Sequence, residues 1–219
     1  MSFMKEVLYR NVPVWDRCMA TAFVQDMKSG KLSPESFREY MIQDSIYLKN
    51  YARVFGKAIY HATMLQDIQF YYSALGFVTN TESAVRLRYL ERFGMTDEDI
   101  ESMAPLPENQ RYIDFLLENA EHGNTCEILM AVLPCMLSYS YMFRKLAKEP
   151  ESAKSEYWDF ILDYADDQYA DSCREWCDFA DQKCGNLSET EQRKLACIFE
   201  RASFLELDFW NMVYGREKK

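Results

Sequence analysis

Residues 33–59, SPESFREYMIQDSIYLKNYARVFGKAI, decide the fold. Ser33 followed by Pro34 is a helix start: a side chain that caps the first free N–H groups, then a proline at the first helical position, where its missing N–H costs nothing. Beyond it Phe37, Tyr40, Met41, Tyr47, Leu48, Tyr51, Phe55 and Ile59 recur in steps of three and four, which puts them on one face of a long helix. A strand would need an alternating pattern, and no strand-length alternating run competes anywhere in the chain.

Outward from that helix the punctuation is mostly caps. Residues 63–78 and 82–93 read as two further helices, the second ending near Gly94. Thr96 and Asp99 form a capping-box-like start to a short turn, and Pro105 and Pro107 force an extended connection. Residues 108–122 form a helix closed by Gly123. Asn124 with Glu127 opens the segment 125–148, whose stripe is Ile128, Val132, Cys135, Tyr139, Phe143 and Leu146. Pro134 inside it predicts a kink, since proline removes one ladder hydrogen bond and crowds the preceding turn. Residues 155–184 read as helical with a break around Ala165–Asp167 and an end at Gly185. Ser188 with Glu191 opens the last helix, with Leu195, Phe199, Ala202, Phe209 and Val213 as its stripe. The first 30 residues read as helical with an interruption near Pro13. The expectation is one all-α domain over residues 1–219, a helical bundle of eight to ten helices.

Composition agrees. Apolar residues make up 48% of the 219, enough for a sizeable core. Seven glycines and six prolines are about half the usual share, so connections are few and helices long. The net charge of −10 argues against nucleic acid and against an anionic membrane surface. No run of 18 apolar residues predicts a transmembrane helix. Seven cysteines, no Cys-x-x-Cys pair and no signal-like leader point to a reduced, cytoplasmic protein.

Two residues break the stripes. Asp44 lies seven residues from both Phe37 and Tyr51, and Glu206 lies four from Ala202, three from Phe209 and seven from Phe199. A carboxylate taken out of water without a partner costs several kcal/mol or takes up a proton. The bland reading is a polar network that holds the core in register. Two such acids, each central to a long helix, favour a shared interior pocket instead. Tyr47 shares a face with Asp44, and Cys135 shares one with Tyr139. A buried thiol is usually a small core residue, and most aromatics on such stripes are core. Cys173 and Cys177 share a face, but no histidine or third thiol at suitable spacing makes a metal site of them. With only His61 and His122 the chain has no Glu-x-x-His pair and expects no metal. His61 reads as a surface or capping residue. No phosphate-binding glycine loop, Rossmann fingerprint or Gly-x-Ser-x-Gly elbow is present.

Three segments together carry a resemblance. The run from Phe37 and Tyr40 through Gln43, Asp44, Tyr47, Leu48, Tyr51, Ala52 and Arg53 is one. The others are Leu133-Pro134-Cys135 with Tyr139, and Ser203, Glu206, Phe209 and Trp210. They resemble thiaminase II, the TenA-type aminopyrimidine aminohydrolases. The likeness spans the chain, including Gly30-Lys31-Leu32 and the stretch from Tyr157-Trp158 to Tyr164. It implies a haem-oxygenase-like fold, a homotetramer, no cofactor, no metal and an aminopyrimidine substrate. The site residues it implies are Asp44, Tyr47, Tyr112, Cys135, Tyr139, Tyr164 and Glu206; Tyr112 and Tyr164 come from the resemblance alone. Met136, Leu137 and Ser138 stand where family members often carry an aromatic pair. The implied activity is hydrolysis of 4-amino-5-aminomethyl-2-methylpyrimidine, and of thiamine, to the hydroxymethylpyrimidine of thiamine salvage. Cys135 is the implied nucleophile and Glu206 the acid. A non-catalytic pyrimidine or thiamine binder on the same fold is the alternative, and an oxidase of the same fold is a third, which the scarcity of histidine disfavours.

Overall fold

The structure is a computed structural model that describes residues 2–214. Among these residues there are eleven α-helices and no strand. The helix-rich expectation holds, with one helix more than its upper count. By backbone contacts the described residues fall into two compact units.

One unit contains residues up to Leu32 and from Leu129 to Tyr214. It holds α1 (Phe3–Met19), α2 (Ala22–Ser29), most of α8 (Thr125–Leu146), α9 (Trp158–Ala165), α10 (Asp167–Cys184) and α11 (Glu189–Asn211). α1 packs against α10 and α11, and α2 against α11. The Trp15 indole N–H donates to Ser203 Oγ over 3.2 Å, pinning α1 to the middle of α11. The break at the α9–α10 junction falls at Asp166, in extended conformation, and the Ser188–Glu191 capping box opens α11. A short 3-10 turn, Ser152–Lys154, takes the place of a helix start at 155, so α9 begins at Trp158. The Tyr157 hydroxyl donates to the Leu32 carbonyl over 2.8 Å, and Ser155 Oγ donates to the Met27 carbonyl over 2.6 Å. Between those anchors Gly30 closes α2 at φ 70°, the left-handed geometry that glycine adopts without a Cβ clash.

Pro13 does not interrupt the first helix. α1 runs through it, and the break comes at Ala20–Thr21. Pro13 and Tyr9 are both exposed, so water satisfies the carbonyl that proline leaves without its donor. Pro134 likewise lies within the continuous helix α8, where residues 128–140 are buried on every side. α8 is long and apolar enough to cross a membrane by composition alone, and 83% of its apolar window is buried inside the protein. That is the pattern of a core helix rather than of a stripe with one wet face.

The second unit runs from Ser33 to Ile128. It is organised around α3 (Pro34–His61), against which α4 (Leu65–Gly76), α5 (Ser83–Arg92), α6 (Asp97–Glu101) and α7 (Pro107–His122) pack. Ser33 caps α3 by accepting from Ser36 N, with Pro34 in its first turn. Residues 40–48 are buried all round, which a one-face stripe understates, while Ile59 in the last turn is half-buried and His61 is exposed. α4 and α5 are joined by a π-helical segment, Phe77–Glu82, where the sequence reading leaves a gap after residue 78. The Thr96–Asp99 capping box and the Asn124 cap are both present; Asn124 Oδ1 accepts from Cys126 N and Glu127 N at 2.9 and 3.0 Å.

Candidate active site

Within the first unit the predicted thiol, one of the acids and two of the tyrosines come from three helices. Cys135 and Tyr139 sit one turn apart on α8, 8% and 5% exposed. Tyr164, from the last turn of α9, meets Tyr139 edge-on with ring centroids 5.0 Å apart. Glu206, 2% exposed, stands in the last third of α11. One turn later Trp210 lies 5.1 Å from the Tyr139 ring. Phe143 touches Tyr139, Tyr164 and Trp210 at 5.5, 5.3 and 6.1 Å, so the aromatic wall is one connected cluster. Ring pairs at these distances and angles are favourable beyond their burial and fix one another's orientation.

Cys18 of α1 belongs to the same neighbourhood, which no spacing in the sequence signals. It is fully buried, and its thiol is held far above the ordinary range by burial first and by the charge of Glu206 second. Cys18 is therefore an inert neutral thiol. Cys177, two-thirds of the way along α10, is also pushed up, to about 12, by burial and then by Asp181 and Asp178. Cys173, which shares its face, donates to the Met136 carbonyl over 3.7 Å. That backbone contact steadies the turn of α8 after Cys135. Ser138 steadies it too, with Oγ donating to the Cys135 carbonyl over 3.1 Å.

The second unit holds Asp44, Tyr47 and Tyr112. Tyr47 and Tyr112 bring α3 and α7 together with ring centroids 4.8 Å apart, and Tyr51 stacks on Tyr47 at 5.5 Å. One turn before Tyr112, Asn109 Nδ2 donates to the Gln43 carbonyl at 2.8 Å and to Gln43 Oε1 at 3.0 Å. Gln43 Oε1 also accepts from Leu106 N over 2.8 Å. The residue beside Asp44 is thereby locked to α7. Asp44 is 6% exposed, and among the described residues no hydrogen bond reaches its carboxyl. Burial pushes it up to about 7, and the Arg86 guanidinium pulls the other way. The sequence reading of Asp44 and Glu206 as buried carboxylates on apolar helix faces holds for each in its own unit. Arg86 carried no sequence signal, because its partners lie 41 residues before it and 11 after it.

Among the described residues no group of three or more His, Cys, Asp and Glu side chains is placed to hold a metal ion.

The sequence matches the model of the TENA/THI-4/PQQC family across residues 10–216. An aminopyrimidine aminohydrolase of Halalkalibacterium halodurans is 30% identical over 216 residues, which cover 98% of this chain and 96% of that protein. Among solved structures, a TenA family transcription regulator from Silicibacter sp. TM1040 superposes with a TM-score of 0.87 at 24% identity, over 96% of each chain. A domain of unknown function with a heme oxygenase-like fold, from Shewanella denitrificans, gives a TM-score of 0.74 at 16% identity, over 98% of this chain and 93% of that one. The fold is therefore all-α and haem-oxygenase-like.

Proposed function

This chain belongs to the TENA/THI-4/PQQC family, and on that premise we propose that it is an aminopyrimidine aminohydrolase of the thiaminase II type. The observation that carries the reading is the burial of a carboxylate within the apolar face of each of two long helices, Asp44 on α3 and Glu206 on α11. Burying a carboxylate is costly, and a polar heterocycle bound beside it would give that acid a hydrogen-bonding role.

The substrate is a 4-amino-2-methylpyrimidine with a leaving group on its 5-methylene. Asp44 accepts a hydrogen bond from the exocyclic amino group and sets the register of the ring. Tyr47 and Tyr112 give it a stacking face; Tyr139 and Tyr164 orient it. The Cys135 thiolate adds to a ring carbon, forming an S–C bond, and a ring nitrogen takes a proton from Glu206. The bond from the 5-methylene to the leaving nitrogen then breaks with its electron pair on nitrogen: the protonated amine departs as neutral amine, or the thiazolium of thiamine as neutral thiazole. Water adds to the methylene carbon and gives a proton to the Glu206 carboxylate, the ring nitrogen releases its proton to solvent as the S–C bond breaks, and hydroxymethylpyrimidine leaves with the thiolate restored.

The protein acts in this reading without metal or cofactor, as a homotetramer in the cytoplasm. All seven cysteines are thiols, none in a disulfide, which fits a reducing compartment. The test is incubation with 4-amino-5-aminomethyl-2-methylpyrimidine and with thiamine, with mass-spectrometric detection of hydroxymethylpyrimidine. Product from either supports the assignment. Tight binding of both with no product would replace it with a pyrimidine-binding protein.

A further inference from the structure

The start of α7 is pinned to α3 by side-chain amides. Leu106, the residue that opens α7, lies between Pro105 and Pro107, so its N–H is the one backbone donor of that stretch. It goes to Gln43 Oε1 of α3 at 2.8 Å. Asn109, in the first turn of α7, donates from Nδ2 to the same Oε1 at 3.0 Å and to the Gln43 carbonyl at 2.8 Å. Gln43 Nε2 in turn donates to Glu39 Oε1 at 3.1 Å, which leaves the amide oxygen aimed at α7. Gln43 and Asn109 are both buried. Among the described residues no donor reaches Asn109 Oδ1.

These amides stand on the seam that carries two of the candidate site residues. On α3 Gln43 precedes Tyr47 by four residues, and on α7 Asn109 precedes Tyr112 by three; either spacing puts the two side chains on one helix face. The seam therefore has an amide rung and, one turn along, a ring rung, with the Tyr47 and Tyr112 centroids 4.8 Å apart. The rungs differ in what they tolerate. Aromatic pairs are favourable over centroid separations of about 4.5–7 Å, so the rings by themselves fix the helix register loosely. Hydrogen bonds of 2.8–3.0 Å do not survive a slide of one residue, about 1.5 Å along the axis.

We propose that Gln43 and Asn109 are positioning residues for substrate recognition: their hydrogen bonds hold α3 and α7 in the register that sets Tyr47 and Tyr112 as a face for the aminopyrimidine ring. The inference rests on the reading of those tyrosines as the stacking face. The amides act through the two rings, so their loss falls on binding rather than on the chemical step.

The experiment pairs steady-state kinetics on 4-amino-5-aminomethyl-2-methylpyrimidine with urea melts, for Asn109→Ser and for the double variant Gln43→Met with Asn109→Leu. The double variant removes the unmet acceptor together with the bonds, and half-buried Leu106 keeps water within reach of its N–H, so stability stays near wild type. KM rises about tenfold in both variants while kcat stays within about threefold. Crystal structures of the wild type and the double variant give a readout independent of turnover: the Tyr47–Tyr112 separation departs from 4.8 Å by about 1 Å or more. A KM that follows stability, returning to the wild-type value in the double variant, overturns the proposal and leaves the amides a structural role. So does an unchanged ring separation. Should the double variant fail to fold, Asn109→Ser decides by the same two criteria. A wild type that turns over neither pyrimidine sinks the hydrolase reading; the ring separation then decides alone whether the amides set the register.

Discussion

The Tyr139 and Trp210 rings stand 5.1 Å apart at 39°, and this contact ties the helix that carries Cys135 to the helix that carries Glu206. Both rings are buried, and each lies one turn beyond the reactive residue of its own helix. Movement of either helix would therefore disturb the wall beside the thiol and the acid.

Replacing the nucleophile tests the covalent step. Cys135→Ser should lower release of hydroxymethylpyrimidine by roughly 10³-fold or more, as expected for an essential nucleophile. Binding of the aminopyrimidine, measured by calorimetry, should remain near wild type. Full turnover in the serine variant would remove the covalent intermediate from the scheme.

Glu206→Gln keeps the shape of the side chain and removes its proton chemistry. kcat should fall by about 10²-fold or more while KM changes little, since general-acid help is realised in the transition state. Steady-state kinetics check this. Equal losses in binding and turnover would assign Glu206 to ring recognition instead.

Asp44 couples function to stability. Its folded-state pKa is raised, to about 7 from an ordinary 3.8, so the folded state holds a proton that the unfolded state has released. The sign follows: the residue costs nothing below about pH 4, and its cost grows through the window between the two values and is complete above pH 7. That cost approaches roughly 4 kcal/mol at its upper bound. Asp44→Asn should therefore be more stable than wild type at pH 8, with the gap closing toward pH 4, while substrate affinity falls. Urea melts at pH 4.5, 6 and 8 measure it. A gap independent of pH would contradict the burial of an ionising carboxyl.

Phe143 is fully buried and holds Tyr139, Tyr164, Phe160 and Trp210 by ring contacts. Phe143→Ala should cost about 3–5 kcal/mol, the range for a large aromatic truncated in a packed core. Phe143→Leu should cost less and raise KM, because Tyr139 loses its backing. Chemical denaturation of both variants, with KM for the folded one, checks this pairing of effects.

The helices were legible because their signals are local. Ser33 with Pro34, Thr96 with Asp99 and Ser188 with Glu191 satisfy N–H groups within three residues, so capping needs no distant partner. Pro13 misled because whether proline breaks a helix depends on the exposure of the carbonyl it deprives. That is a property of packing. The π-helical joint at Phe77–Glu82 left no mark in the periodicity.

The sequence by itself determined that α3 and α11 are long helices and that an acid stands in the middle of each apolar face, since a 3.6-residue period is fixed by the backbone. It also marked Cys135 and Tyr139 as facing one way. Only the tertiary structure decided that α3 is buried all round at residues 40–48, that Cys18 lies within the field of Glu206, and that Arg86 acts on Asp44. Burial and charge are set by whatever packs alongside. Those neighbours, up to 188 residues away along the chain, obey no spacing rule.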